Sequence, residues 1–197
     1  MNTSFVVIGL LAFLSGGPQG YEEPAHDVIE KYDDFEVRHY ASRVVARTNV
    51  VVDFDDAGTT AFPVLRDYIA EHEIAMTVPV TQTPAGAAGY DVEFGMPAVL
   101  DVDSLPPPTD ERVQISTIPE RMVAALSYRG DWDRDRYQRH EDMLMAALAR
   151  EGLQPVGEAV WARYNSPLMI WFLRRNEILV PVEPIYDTRL ACGVGNS

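Results

Sequence analysis

Residues 121–128, Arg-Met-Val-Ala-Ala-Leu-Ser-Tyr, echo residues 43–50, Arg-Val-Val-Ala-Arg-Thr-Asn-Val, at an offset of 78 positions (121 against 43). The same offset carries a first helical segment onto a second, Tyr137–Arg150. Self-similarity at such a spacing means two copies of one supersecondary unit. Each copy reads strand–strand–helix–strand–strand. The expected fold class is therefore α+β, in which pseudo-twofold duplicated ββαββ units form one antiparallel β-barrel or sheet with two packed helices. A groove between helices and sheet is then the natural place for a flat apolar ligand.

Period-2 alternation places the strands. Val28–Tyr32 is a short one, and Asp33-Asp34 supplies a turn before Phe35–Tyr40. Arg43–Val52 follows, with Val44, Ala46, Thr48, Val50 and Val52 on one face. Its other face, Val45, Arg47, Asn49 and Val51, is less apolar and is expected to meet solvent or a helix edge. Asp53–Gly58 reads as an acidic turn, after which Thr59 or Thr60 caps a helix with Pro63 in its first turn. That helix ends near His72, and Phe62, Leu65 and Ile69 form its core stripe. Pro79 makes Ile74–Thr83 an edge or bulged strand. Tyr90–Met96 points Val92, Phe94 and Met96 inward, and Pro97–Asp110 is a linker. In the second copy Arg112–Ile118, Arg121–Tyr128, Ala159–Tyr164 and Asn176–Val182 are strands. The second helix carries Tyr137, Leu144, Ala147 and Leu148 inward and stops at Gly152.

Composition narrows the function. The hydrophobic fraction is 47%, enough for a core. A net charge of −14 repels phosphates, so nucleic acid is not an expected partner. The single cysteine, Cys192, closes no intramolecular disulfide, and no Cys-x-x-Cys-His stretch exists for covalent haem attachment. Residues 1–20 read as a signal-like or membrane-tethering leader. Phe5–Leu14 is a continuous apolar run followed by small residues, too short to span a bilayer. Its n-region lacks Lys and Arg, and an Ala-x-Ala type site is missing. Export or membrane association is the expectation, with a cytoplasmic protein as the alternative. Residues 21–184 are expected to form one folded domain, and 185–197 a polar, Gly-rich tail that is expected to fray.

One imidazole stands out. In Phe35–Tyr40, His39 shares a face with Phe35 and Val37. An imidazole on an apolar wall is either a satisfied core histidine or a ligand for something that enters the wall, and spacing leaves both open.

Four segments together resemble the SOUL/HBP haem-binding family: Phe35-Glu-Val-Arg-His-Tyr40, Ile74-Ala-Met-Thr-Val-Pro-Val80, Tyr164-Asn-Ser-Pro167 and Arg174-Arg-Asn-Glu177. The resemblance runs from about Val28 to Glu183. It implies a pseudo-symmetric α+β barrel with two helices and a tetrapyrrole ligand, haem b held non-covalently or another porphyrin. In one family member that ligates haem through histidine, the ligand is the His of an Arg-His-Tyr in this strand. By that resemblance His39 is the candidate haem-binding and metal-ligating residue. The family's cleft involves the first helix and the loop before the last strand. Carried onto this chain, that implies Phe62, Leu65, Arg66 and Ile69, with Arg66 nearest a propionate, and Met169 and Trp171 within the apolar stretch Leu168–Phe172.

The functional expectation is a non-covalent haem or tetrapyrrole binder, serving as carrier, buffer or scavenger. The alternative is a binding or sensing module for another apolar small ligand, without iron. An enzyme is not expected, because no Ser-His-Asp, Cys-His or helical His-Glu-x-x-His constellation appears.

Overall fold

The computed structural model describes residues 20–86 and 89–184; the leader through residue 19 and the tail from 185 lie outside the described residues. Nine strands and two helices follow in the order β1 (His26–Lys31), β2 (Glu36–Tyr40), β3 (Arg43–Val50), α1 (Phe54–Glu71), β4 (Val80–Pro84), β5 (Tyr90–Gly95), β6 (Gln114–Ile118), β7 (Arg121–Arg129), α2 (Arg134–Glu151), β8 (Val160–Arg163) and β9 (Arg175–Val182). The strands form one antiparallel sheet in the order β1-β2-β7-β9-β8-β4-β5-β3-β6. It curls into a half-barrel, with both helices against it.

The duplication is present in the sheet. With the added strand β1 set aside, exchanging each strand for its counterpart (β2/β6, β3/β7, β4/β8, β5/β9) returns the same order read backwards. The pseudo-twofold passes between β4 and β8. The first strand of each repeat is exchanged, because β2 pairs with β7 and β6 with β3. These pairings keep one register through both chain junctions. Tyr40 stands opposite Arg121, and three residues along each strand Arg43 stands opposite Ile118. The ends of the curled sheet thus share one long bent pair of strands.

Two apolar clusters hold the helices down. The first joins α1 (Ala57, Ala61, Leu65, Ile69) to β3 and β5 (Val44, Ala46, Val92, Phe94). The second joins α2 (Tyr137, Leu144, Ala147, Leu148) to β2, β7 and β9 (Val37, Leu126, Ile178). A third cluster, including Tyr40, Val123, Ala125, Val160 and Tyr164, lies on the opposite, inward side of the curl.

Several local expectations change. The helix α1 begins at Phe54, not at Thr59, and Asp53 takes the N-cap place, its C=O accepting the Asp56 and Ala57 N–H groups. Gly58 argues locally for a turn, but burial of Phe54 and Ala57 overrides it, and Asp55 and Asp56 suit the positive end of the helix. Pro63 consequently sits in the helix interior. The second face of β3 divides: its first part faces the inside of the curl, where Val45 is buried and Arg47 pairs with Glu93 at 2.6 Å, while Asn49 and Val51 at its end meet solvent. The first strand starts two residues earlier than Val28, at His26. Ile74–Thr83 is not an edge strand: β4 begins only after Pro79, so the missing N–H costs no ladder bond, and it lies mid-sheet between β8 and β5. The turn signals hold: Asp33-Asp34 turns the chain, with the Tyr32 N–H donating to the Phe35 C=O at 2.9 Å, and Gly152 ends α2 at φ 71°.

The N-terminus of α2 is capped by Asp133, which accepts the Arg136 N–H at 2.9 Å. Asp133→Ala is expected to lower stability by about 1 kcal/mol, read as a shift of the urea midpoint at constant slope.

Candidate ligand-binding cleft

A cavity of about 450 Å³ opens between α1, the start of α2 and the chain that leaves β8. Sites for small molecules span about 300–1,000 Å³, so it is large enough to seat part of a flat macrocycle. One wall is a stretch of α1. Gly58, Thr59, Phe62 and Pro63 face the opening there. Phe62 rests edge-on over Phe94 at 5.2 Å and stays 37% exposed, which leaves one ring face for a ligand. Pro63 has no N–H, so the Thr59 carbonyl beside it lacks its helical partner and remains an acceptor on the cleft wall.

Trp132 forms the opposite wall. Its Nε1–H donates to Asn176 Oδ1 at 2.8 Å, and the Arg174 guanidinium stacks over its ring at 4.4 Å. Both partners belong to the Arg174–Glu177 segment, so this wall is fixed before any ligand arrives.

The floor is cationic. Arg163, at the end of β8, donates from Nε to the Tyr137 hydroxyl at 3.2 Å and from Nη2 to Gln82 Oε1 at 2.7 Å. Gln82 is itself held by its Nε2–H bond to the Phe54 carbonyl at 3.0 Å. Gly58 is what admits this arginine, because a Cβ there would overlap Arg163 Nη1.

Beyond Pro167 the chain displays apolar side chains on a pinned backbone. Leu168 is 95% exposed, and Trp171 and Phe172 are half-exposed in a short 3₁₀ turn, Trp171–Leu173. The backbone beneath is held by Arg174, which donates to the Pro167 and Met169 carbonyls at 2.7 and 3.0 Å. Arg129 donates to the Leu173 carbonyl at 3.1 Å. Such a patch beside a cavity marks a surface that receives something.

The sequence-named residues separate. Phe62 lines the cavity. Leu65 and Ile69 are buried beneath α1 in its contact with the sheet. Arg66 is exposed and bonded to Asp67 at 2.7 and 3.1 Å. Met169 and Trp171 belong to the apolar loop that continues from Pro167. His39 lies in β2 between Asp27 and Met122, away from the cavity lining, with its Nε2 3.9 Å from a Glu120 carboxylate oxygen. Among the described residues no group of three or more His, Cys, Asp or Glu side chains is placed to hold a metal ion. A lone imidazole would therefore act on iron only as an axial ligand to a macrocycle that supplies the other donors. Gly58, Trp132 and Arg163 are the residues that sequence reading missed. Alternation did carry one signal: Arg163 shares the helix-side face of β8 with the buried Trp161.

The inward side of the curl holds a second polar assembly, which is structural. Arg38 reaches Glu177 with Nη1 at 2.8 Å and Nη2 at 3.3 Å, and the Tyr164 hydroxyl donates to the same carboxylate at 2.7 Å. Burial alone would lower the Arg38 pKa, but the Glu177 carboxylate outweighs it and keeps the guanidinium charged. Burial, together with that carboxylate, pushes the Tyr164 phenol well above its usual range, so it remains a donor.

A duplicated α+β half-barrel with an apolar cleft and a cation at its floor defines a class of small-molecule-binding module. Within that class, the chain belongs to the SOUL heme-binding protein family, whose model matches residues 21–181. No curated protein sequence matches it significantly. Among solved structures, the C-terminal domain of EcmrR is similar, at 15% identity and a TM-score of 0.59 over 76% of this chain and 96% of that one. An uncharacterized conserved protein from Listeria innocua matches at 12% identity and a TM-score of 0.58, over 76% of this chain and 92% of that one. A hydrolase from Listeria innocua matches at 12% identity and a TM-score of 0.55, over 79% and 94%. At these identities the likeness is one of fold.

Proposed function

We propose that the protein binds a tetrapyrrole such as haem b, non-covalently, in the cleft between α1 and the loop that precedes β9, and serves as a carrier, buffer or scavenger. The observation that carries this reading is a preformed cavity with aromatic walls, Phe62 and Trp132, opening onto an exposed apolar loop. Family membership supports the ligand class. The residues fit the group: a macrocycle needs flat apolar walls, an edge open to solvent and a cation for its acid side chains, and the cleft offers each. Haem would bring its iron, and the chain's own residues would clamp the ring and exclude water from its faces. Axial ligation by His39 belongs to this proposal as a separate element, because His39 stands apart from the cavity lining.

Titration of the full chain with hemin is expected to give a saturable Soret shift and a rise in Tm. Binding to the folded state alone adds about 2.7 kcal/mol at a ligand concentration 100 times Kd. Phe62→Asp is expected to weaken binding by about tenfold or more, since it places a carboxylate against the ring. An unchanged Soret spectrum in His39→Ala would remove the axial role and leave the cleft intact. Absence of any saturable shift or stabilisation would move the reading to another apolar ligand.

A further inference from the structure

The floor of the cleft holds a cation whose contacts are all neutral. Arg163 bonds to the Tyr137 hydroxyl and the Gln82 amide oxygen, and among the described residues it forms no ion pair. Burial raises the Tyr137 pKa, so this partner stays a neutral phenol and does not supply a negative charge. The Nη1 group makes no hydrogen bond among the described residues and lies over Gly58, on the cavity side. Two carboxylates line the same cavity, and both have other partners. Asp131 pairs with Arg174 at 2.8 Å, and Asp55 accepts the Arg134 backbone N–H at 3.2 Å. In a chain of net charge −14, an arginine oriented by two neutral groups and left without a counter-ion is a site waiting for one.

We propose that Arg163 is the carboxylate anchor of the cleft, and that the site selects flat apolar acids over their neutral esters. This rests on the cleft-binding reading and specifies its ligand chemistry. The ligand's ring lies between Phe62 and Trp132, and one acid group reaches Arg163 Nη1. The geometry assigns the role to Arg163 in preference to Arg66, whose guanidinium is already bonded to Asp67 on the outer surface of α1. Gly58 acts as a positioning residue, since any side chain there displaces the guanidinium.

The test uses iron-free porphyrins, so that axial ligation plays no part. Protoporphyrin IX and its dimethyl ester are titrated into the full chain, with quenching of tryptophan fluorescence as the readout. The diacid is expected to bind at least about tenfold tighter than the ester, the usual margin for a charge-assisted hydrogen bond. Arg163→Met is expected to abolish that preference by weakening the diacid alone. Gly58→Ala, which leaves the arginine in place but displaced, is expected to reduce it. Equal affinities for diacid and ester in the unmodified chain would overturn the anchor and leave the cleft reading standing. A preference that survives in Arg163→Met would overturn the assignment to Arg163. Saturation by neither porphyrin would overturn the cleft reading itself. The comparison of diacid with ester needs no variant, so a poorly folding substitution does not blunt it.

Discussion

Glu177→Ala is expected to lower folding stability by about 3–5 kcal/mol, because it strands a buried charge. Glu177 is 1% exposed, and its carboxylate receives Arg38, Tyr164 and, at 3.4 Å, Arg175. Without it the Arg38 guanidinium, itself 7% exposed, keeps only Glu36 and the Tyr40 hydroxyl. The same loss is expected from Glu177→Gln, which keeps the shape and removes the charge. The double change Arg38→Met with Glu177→Leu should recover part of it, since replacing both ions by apolar groups removes the desolvation penalty. Urea unfolding of the three variants distinguishes the cases. A midpoint for Glu177→Ala within error of the unmodified chain would mean that the network contributes nothing.

The second large effect is predicted at Phe54, the first residue of α1. Its ring lies edge-to-face with Trp161 at 4.8 Å, Tyr137 at 5.2 Å and Tyr90 at 5.8 Å. It therefore links α1 of the first repeat to α2 and β8 of the second. Phe54→Ala is expected to cost about 3–5 kcal/mol, through lost transfer energy and the cavity left among rings that cannot collapse into it. Because Gln82 bonds to the Phe54 carbonyl and also orients Arg163, the variant should loosen ligand binding as well. Thermal melts with and without hemin separate the two effects. A variant that melts as the unmodified chain does would show that the two helices do not depend on this aromatic junction.

What could be read from residues alone divides along physical lines. The duplication, the strand faces with Val92, Phe94 and Met96, and the stop at Gly152 rest on periodicity and turn chemistry, which are local. The start of α1 was hidden because Gly58 and three nearby aspartates signal a turn, while the burial that overrules them comes from residues far along the chain. The four segments that carry the family resemblance meet mainly inside the curl. Arg38, Tyr40, Tyr164 and Glu177 make one network, with Val78 packed beside it. Two of their asparagines fix neighbouring chain: Asn165 accepts the Arg175 N–H at 2.6 Å, and Asn176, on the other face, holds Trp132. The motif thus marks the scaffold more than the ligand contacts. The cleft residues escaped notice because Gly58, Trp132 and Arg163 are far apart in sequence, and each is unremarkable alone.

The exchanged first strands have a consequence for how this protein is made. Residues 36–40 pair on one side with β1 as soon as both are made, but on the other side they find their partner only at residues 121–125, so on the ribosome this strand emerges long before the chain that completes it. Until then the nascent N-terminal half carries an open flank on β2, and the long-range pairing must wait for the second repeat. Neither repeat is thus an autonomous folding unit, and a chain truncated to one copy would be left seeking a twin.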